Sequence, residues 1–194
     1  MAAQTENKVL FGLSNVHVAK MTGDNKWEAP VHIPGAVNMS IDPEGDQSVF
    51  NADNMAYHTT NTNSGYTGEL EMALIPNDIL AWMLGWKIDN NGALVEVADG
   101  VPTPFALLFN VQGDQRVRSA VFYKLTANRP SDEHSTTEDT AEPETTTLPF
   151  TVTPIVYNGE TVTKSVIEKS TENAAVYSTF FTKVYMPDAT GSDA

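Results

Sequence analysis

The alternation of hydrophobic and polar residues along this chain predicts a protein built mainly of β-strands. From Tyr66 to Leu74, apolar or small residues at even positions share one face, and Glu69 and Glu71 lie on the other. Most of the apolar runs are separated by turn residues, which is typical of strands. The predicted strands are Val9–Val18, Val31–Ile41, Tyr66–Ile75, Phe105–Val111, Val117–Ala127, Leu148–Tyr157 and Val176–Tyr185.

One segment has helical spacing instead, over about residues 76–85. Its apolar residues recur at helical intervals, Asn77 or Asp78 is placed to cap the first turn, and Gly85 is placed to end the helix. Its Trp82 and Trp86 are expected either to close the end of the sandwich or to face a neighbour, and packing against the core is the favoured prediction. The pattern as a whole predicts a mainly β fold, a β-sandwich or barrel with one short flanking α-helix and long loops.

Turns and polar segments divide the chain into a domain and two arms. Asp42–Gly45 and Asp89–Gly92 carry turn residues. Residues 51–65 and 131–147 are polar and are predicted to be long loops, the second being acidic with no Lys or Arg. We therefore expect a flexible arm over 1–7, a single domain over 8–187 and a flexible tail over 188–194.

The charge of the chain argues against several classes of function. Eleven Lys and Arg face 25 Asp and Glu among 194 residues, which gives a net charge of −14. Unaided binding to nucleic acid or to anionic lipid is therefore disfavoured. There is no cysteine, so disulfides and thiolate chemistry are excluded. No signal-peptide pattern opens the sequence, and the longest apolar run, Ile79–Trp86, is far shorter than the ~20 residues of a membrane helix.

Candidate catalytic and metal-binding residues are few and widely spaced. The four histidines, at positions 17, 32, 58 and 134, show no paired-ligand spacing. Asp42, Glu44 and Asp46 alternate like the start of a calcium loop, but Asp53 occupies the position where a glutamate is required. We therefore expect no enzyme activity, no cofactor and no metal.

A series of short motifs, in order along residues 10–157, is similar to one known family. The motifs are Phe11–His17, Val31–Val37, Ile41–Asp46, Ala52–Asn54, Tyr57, Gly65–Gly68, Leu74–Pro76, Phe105–Phe109, Gly113–Asp114 and Thr126–Ser131. Together they resemble the major tail protein family of long, non-contractile-tailed bacteriophages, or siphophages, of Gram-positive hosts. Each motif is weak alone, and the specificity comes from their order.

The resemblance implies a structural virion protein, the tail tube subunit. Six copies would close into a ring, and stacked rings would form the hollow tail through which phage DNA passes without specific binding. The implied partners are other copies of the chain, a tape measure protein inside the tube, and tail terminator and distal tail or baseplate proteins at its ends. The implied location is the virion, with assembly in the host cytoplasm and no membrane partner.

On this interpretation the residues of interest lie at subunit interfaces. Loop 51–65 is expected to contact a neighbour in the ring or the stack, and loop 131–147 is expected to contact the adjacent ring. The candidate interface residues are Asp53, Asn54, Tyr57, Tyr66, Glu138, Asp139, Glu142 and Glu144.

Two alternatives from other classes remain open at this point. One is a monomeric carbohydrate-binding or adhesion module, in which Trp27, Trp82 or Trp86 stacks on sugar rings. The other is a glycosidase-like enzyme that uses Glu69 or Glu71 as an acid or base.

Overall fold

A computed structural model of the chain describes residues 7–52, 54–132, 134, 136 and 144–188. Its regular structure is mainly strand, which confirms the predicted fold class. The strands are β1 Leu10–Gly23, β2 Lys26–Trp27, β3 Val31–His32, β4 Ala36–Glu44, β5 Gln47–Ala52, β6 Met55–Asn61, β7 Gly65–Met72, β8 Lys87–Ile88, β9 Leu94–Val95, β10 Phe105–Gly113, β11 Arg118–Ala127, β12 Thr146–Val152, β13 Ile155–Tyr157, β14 Glu160–Val162 and β15 Lys164–Glu168. The helices are α1 Asn77–Leu84 and α2 Ala174–Thr179.

Nine of the strands form one antiparallel sheet that divides at β11. The main order is β2-β1-β10-β11-β12-β7-β4, with β3 on β1 and β15 on β11. The first half of β11 pairs with β15 and its last three residues pair with β12. Side chains from β1, β10, β11, β12 and β7 all enter one apolar cluster. The sheet therefore curls around that cluster in a sandwich-like arrangement.

Strands β10 and β11 are buried on both faces. Phe105, Leu107 and Phe109 enter the large cluster, whereas Ala106 and Leu108 enter a second, smaller one. This double burial explains why residues 105–109 are apolar without alternation. Burial of each Phe or Leu side chain contributes about 1.5–3 kcal/mol.

A β-bulge in β11 keeps its side chains on the correct faces. Phe105 pairs with Leu125 and Leu107 pairs with Phe122, so β11 contains one residue more than β10 over this stretch. An extra residue reverses the side-chain alternation of a strand. As a result, Phe122 and Leu125 both enter the large cluster although they lie three residues apart.

Helix α1 confirms the helical spacing and the end at Gly85, which has a φ of 71°. The predicted capping was wrong, because Pro76 occupies the N-cap position and no side chain of the described residues caps the first turn. Trp82 and Trp86 pack, partly buried, against the large cluster as predicted.

The turn predicted at Asp89–Gly92 is confirmed. The Asp89 carboxylate accepts hydrogen bonds from the Asn91 and Ala93 amides at 2.8 Å.

The predicted strand Val176–Tyr185 is wrong, because helix α2 begins this segment. Asn173 folds the chain just before α2 by donating to the Glu168 carbonyl at 2.7 Å and accepting from the Ser170 amide at 2.8 Å. Phe180 and Val184, four residues apart, are both buried in the small cluster. That interval suits helical turns better than a strand, where alternate residues share a face.

The predicted turn at Asp42–Gly45 is also wrong, because β4 continues through it. Asp42, Pro43 and Glu44 pair with Thr67, Tyr66 and Gly65 of β7. On its other side β4 has no ladder partner among the described residues. Proline lacks an N–H donor and is tolerated in such an edge position. The turn residues therefore mark an edge strand.

The predicted arms and the acidic loop lie mostly outside the described residues, namely 1–6, 189–194, 133, 135 and 137–143. Asn7 was predicted to belong to the flexible arm, but its side chain is fixed. Its Nδ2 donates to the Arg116 carbonyl at 2.9 Å, and its Oδ1 accepts from the Arg116 amide at 2.8 Å. At the other segment, Thr146 and Thr147 belong to β12, so the predicted loop 131–147 is shorter than expected.

Candidate assembly surface

The segment that was predicted to be a loop over 51–65 is largely a β-hairpin made of β5 and β6. Phe50 pairs with His58 and Ala52 pairs with Met55 across the hairpin. Asn54, in the turn, has a φ of 60°, a left-handed value that asparagine tolerates better than most residues. The polar composition concealed the strands, because this hairpin pairs only with itself among the described residues.

The hairpin exposes large apolar side chains. Phe50 is 64% exposed, Met55 is 65% exposed and Tyr57 is 74% exposed, and Val49 is also exposed. No residue of the described part of the hairpin belongs to either apolar cluster. Several large apolar side chains left in water within one short hairpin are typical of a segment that binds a partner.

The base of the hairpin is firmly attached to the sheet. Glu44 pairs with Gly65 at the end of the β4–β7 ladder. Just beyond, the Thr62 amide donates to the Asp46 carbonyl at 2.9 Å, and the Asp46 amide donates to Thr62 Oγ1 at 3.0 Å. The hairpin is therefore a continuation of the two strands and projects from the end of the sheet.

The predicted interface residues fall in three different environments. Asn54 and Tyr57 lie exposed on the hairpin. Tyr66 is half-buried, with its ring edge-on to Phe122 at 5.6 Å between centroids. Glu144 is exposed and accepts a hydrogen bond from the His134 ring at 3.0 Å. The remaining four, Asp53, Glu138, Asp139 and Glu142, lie outside the described residues.

A second feature, which the sequence did not reveal, is an apolar groove bordered in part by β4, the strand that leads into the hairpin. Its volume is about 280 Å³. It is lined by side chains from five strands, mainly Leu10, Ile41, Phe109, Val111, Phe122 and Val166, with the cations Arg118 and Lys164 among them. Since these residues are distant in sequence, only the fold brings them together.

The two cations of the groove differ in their partners. Arg118 Nε lies 3.0 Å from a carboxylate oxygen of Glu168. The Lys164 ammonium lies over the ring of Tyr66, 5.0 Å from its centroid, and 5.7 Å from that of Phe122. No carboxylate of the described residues forms an ion pair with Lys164. Among the described residues, the groups that the structure places against the Lys164 charge are therefore aromatic faces.

The hairpin and the two cations of the groove belong to parts of the chain with opposite charge character. Residues 28–86, which contain β4, the hairpin and β7, include eight Asp and Glu and no Lys or Arg. Strands β11 and β15 supply Arg118 and Lys164 to the groove. Opposite charges on two surfaces of one chain favour contact between different surfaces of two copies.

Four strands of the main sheet have a single ladder partner in the described part of the chain, and the longest two of these, β4 and β15, leave the longest open edges. Strand β4 has β7 as its only ladder partner there, and β15 has only β11. An open edge presents unpaired N–H and C=O groups, which pair readily with a strand of another chain. Both edges border the groove, β4 through Ile41 and β15 through Lys164 and Val166.

The structure also brings together two histidines that are separate in sequence. His17 and His32 are directly opposite each other on β1 and β3, and their ring centroids are 4.9 Å apart. Phe181 lies against His17 at 4.7 Å. Burial lowers the pKa of His17 below its usual value, and the neighbouring His32 lowers it further. Among the described residues, no group of three or more His, Cys, Asp or Glu is placed to hold a metal.

The residues of the two alternative functions are placed less favourably. Trp27, like Trp82 and Trp86, is partly buried, and its indole N–H donates to the Tyr123 carbonyl at 3.1 Å. Glu69 is exposed, and Glu71 accepts a hydrogen bond from Thr145 at 2.7 Å. These positions favour neither stacking on a sugar nor a pair of catalytic carboxylates.

No protein-family model matches the chain, and no curated protein matches it in sequence. In the part of the chain that the structure describes, no helix has the length and apolar character needed to cross a membrane.

Proposed function

We propose that this protein is a structural virion protein, the tube subunit of a long non-contractile phage tail. Six copies form a ring, and rings stack into a hollow tail. The observation that carries this proposal is the projecting hairpin, because it exposes Phe50, Met55 and Tyr57 and continues directly from the β4–β7 ladder. In a monomer this apolar surface would remain exposed to water, whereas in a polymer each contact between copies buries it.

Ring closure requires that one surface of a copy meets a different surface of the next. Such heterologous contacts generate rings or open helical assemblies. The open edges of β4 and β15 are two different surfaces of this kind. Pairing of β4 with β15 of a neighbour extends the sheet around the ring and removes both edges from solvent. The order of short motifs along residues 10–157 supports the same assignment.

The acidic composition suits passage of DNA through the tube. Carboxylates repel phosphate over about a Debye length, roughly 8 Å at physiological salt. With a net charge of −14 per copy, a lumen formed by this protein allows DNA to slide and not to bind. The further partners in this proposal are a tape measure protein in the lumen and terminator and baseplate proteins at the ends of the tail.

Electron microscopy over a concentration series, combined with light scattering, tests this proposal. We expect rings or hollow tubes of uniform diameter from the native protein. The double variant Phe50→Ser/Tyr57→Ser should remain a folded monomer. The matched control is Val156→Ser, which alters an exposed apolar side chain of β13. A native protein that stays monomeric at every concentration, even with a crowding polymer, would contradict the proposal.

A further inference from the structure

We propose that the apolar groove bordered by Lys164 binds the β5–β6 hairpin of a second copy. This inference rests on the proposed function, since it names the surface that receives the hairpin in the assembly. The hairpin and the groove are different surfaces of the same chain, so each copy supplies one donor and one acceptor. Because the contact joins two different surfaces, every bound copy can bind a further copy, and a pair of copies does not end the assembly.

The apolar surfaces of the two features complement each other. In the free subunit the groove leaves Leu10 47% exposed and Val166 46% exposed. The hairpin presents Phe50, Met55 and Tyr57, which are more than half exposed. Each apolar group removed from water contributes about 25 cal/mol per Å² of buried area. The groove volume of about 280 Å³ is close to the lower end of ordinary ligand pockets, about 300 Å³, so it is of a size to receive a large side chain.

The charges of the two features are also complementary. Lys164 has no carboxylate partner among the described residues. The hairpin is preceded by Asp42, Glu44 and Asp46, and no Lys or Arg occurs within it or in the strands that support it. An acidic segment that approaches the groove therefore meets an ammonium that no described carboxylate neutralises. Such pairing fixes the direction of docking more than it adds affinity.

The hairpin does not occupy the groove of its own copy, since no described hairpin residue lines that groove. Ile41 of β4 lines the groove, and the hairpin begins a few residues later, where Glu44 pairs with Gly65. The hairpin thus continues the strands away from the rim. Its six-residue strand β5 spans roughly 20 Å at about 3.3 Å per residue, which is enough to reach a neighbour.

Cross-linking between two single-cysteine variants tests this contact, because the native chain has no cysteine. One variant carries Met55→Cys on the hairpin. The other carries Val166→Cys in the groove and a tag that makes its mass distinct. We expect a short bismaleimide to join the two into a mixed dimer when they are combined at assembly concentration. The control replaces Val166→Cys by Val101→Cys, which is 81% exposed and outside the groove.

The outcomes separate this inference from the proposed function. A mixed product from Met55→Cys with Val166→Cys, at least tenfold above the Val101→Cys control, supports the inference. Tubes that form in the microscope without this product overturn the inference and leave the proposed function intact. The product in the absence of rings or tubes supports the groove contact and contradicts the tube. If neither the mixed product nor tubes form, both the inference and the proposed function are contradicted.

Discussion

At the scale of single residues, close packing leaves no room for a side chain at Gly68 in the middle of β7. Strands β12 and β4 pair with β7 on its two sides. A methyl group added at Gly68 would collide with the Ser40 carbonyl oxygen and lie 2.7 Å from Phe150 Cζ. Phe150 is itself buried in the large cluster. The glycine therefore allows an aromatic ring to lie directly on the strand.

We predict that Gly68→Ala lowers the free energy of unfolding by about 1–3 kcal/mol, the usual cost of overpacking. Urea denaturation followed by circular dichroism measures the change. Gly12→Ala in β1 is the control, because a methyl group there meets no atom within 4 Å. The control should change stability by less than about 0.5 kcal/mol. Equal effects of both substitutions would show that packing against Phe150 is unimportant.

His17 links folding to pH, because its folded pKa lies below the usual value of about 6.5. Above pH 6.5 the ring is neutral in both states and has no effect. As pH falls below 6.5 the unfolded chain binds the proton more readily, so stability decreases.

His134 behaves oppositely, because the hydrogen bond with Glu144 raises its pKa. Its contribution is present below pH 6.5 and is lost as pH rises through the raised value.

We therefore predict that His17→Gln loses less stability between pH 7.5 and pH 5 than the native protein does. Thermal unfolding at a series of pH values measures the difference, and carboxylates cancel in the comparison because both proteins share them. His134→Gln is the control and should lose more stability than the native protein over the same range. A pH profile unchanged by His17→Gln would contradict the assigned direction.

At the scale of elements, the sequence correctly predicts the segments in which burial of one face produces a regular spacing of apolar residues. Helix α1 was predicted because its spacing and Gly85 reflect local structure. Strand β7 was predicted because Gly68, Leu70 and Met72 are buried on one face. Helix α2 was missed because Val176 and Tyr177 are also strong strand formers and the helix buries no residue of its own, while Phe180 and Val184, which enter the small cluster, lie beyond its end.

The candidate assembly surface was predicted only in part. Tyr57 and Asn54 were predicted as interface residues, and they lie exposed on the hairpin, as an interface requires. The hairpin was mistaken for a loop because it buries no face within the described chain, so no alternation was imposed on its residues. The groove could not be predicted, because strands that are remote in sequence meet there only after the sheet has curled.

We predict that the hairpin is dispensable for folding and essential for assembly. In the test variant an Asn-Gly turn replaces residues 47–61 and joins Asp46 to Thr62, whose hydrogen bonds already hold the two ends together. Since neither apolar cluster includes a described hairpin residue, the variant should unfold within a few degrees of the native protein. Light scattering should show a monomer. A variant that does not fold would assign the hairpin to the domain itself, and one that still forms tubes would remove its role in assembly.

At the scale of the whole molecule, assembly has to overcome repulsion between copies of charge −14. The chain separates its charges, with no cation in residues 28–86 and Lys164 beside the groove. Long-range repulsion decays over a Debye length of about 30 Å at 0.01 M salt and about 10 Å at 0.1 M. A pair in contact is screened less. Moderate salt therefore weakens the repulsion between copies more than it weakens the contact of hairpin and groove.

This separation leads to a prediction in which net charge is held constant. Lys164→Gln and Lys87→Gln both change the net charge from −14 to −15, so they increase long-range repulsion equally. Only Lys164 lines the groove, whereas Lys87 lies exposed on β8. We expect Lys164→Gln to raise the critical concentration for assembly at 0.1 M salt about threefold or more above that of Lys87→Gln, because only this variant loses the contact charge. The critical concentrations of the two variants should become equal near 1 M salt, where the Debye length of about 3 Å screens even close charge pairs. Equal critical concentrations at 0.1 M would mean that net charge alone controls assembly, and the hairpin would then be held in the groove by its apolar side chains.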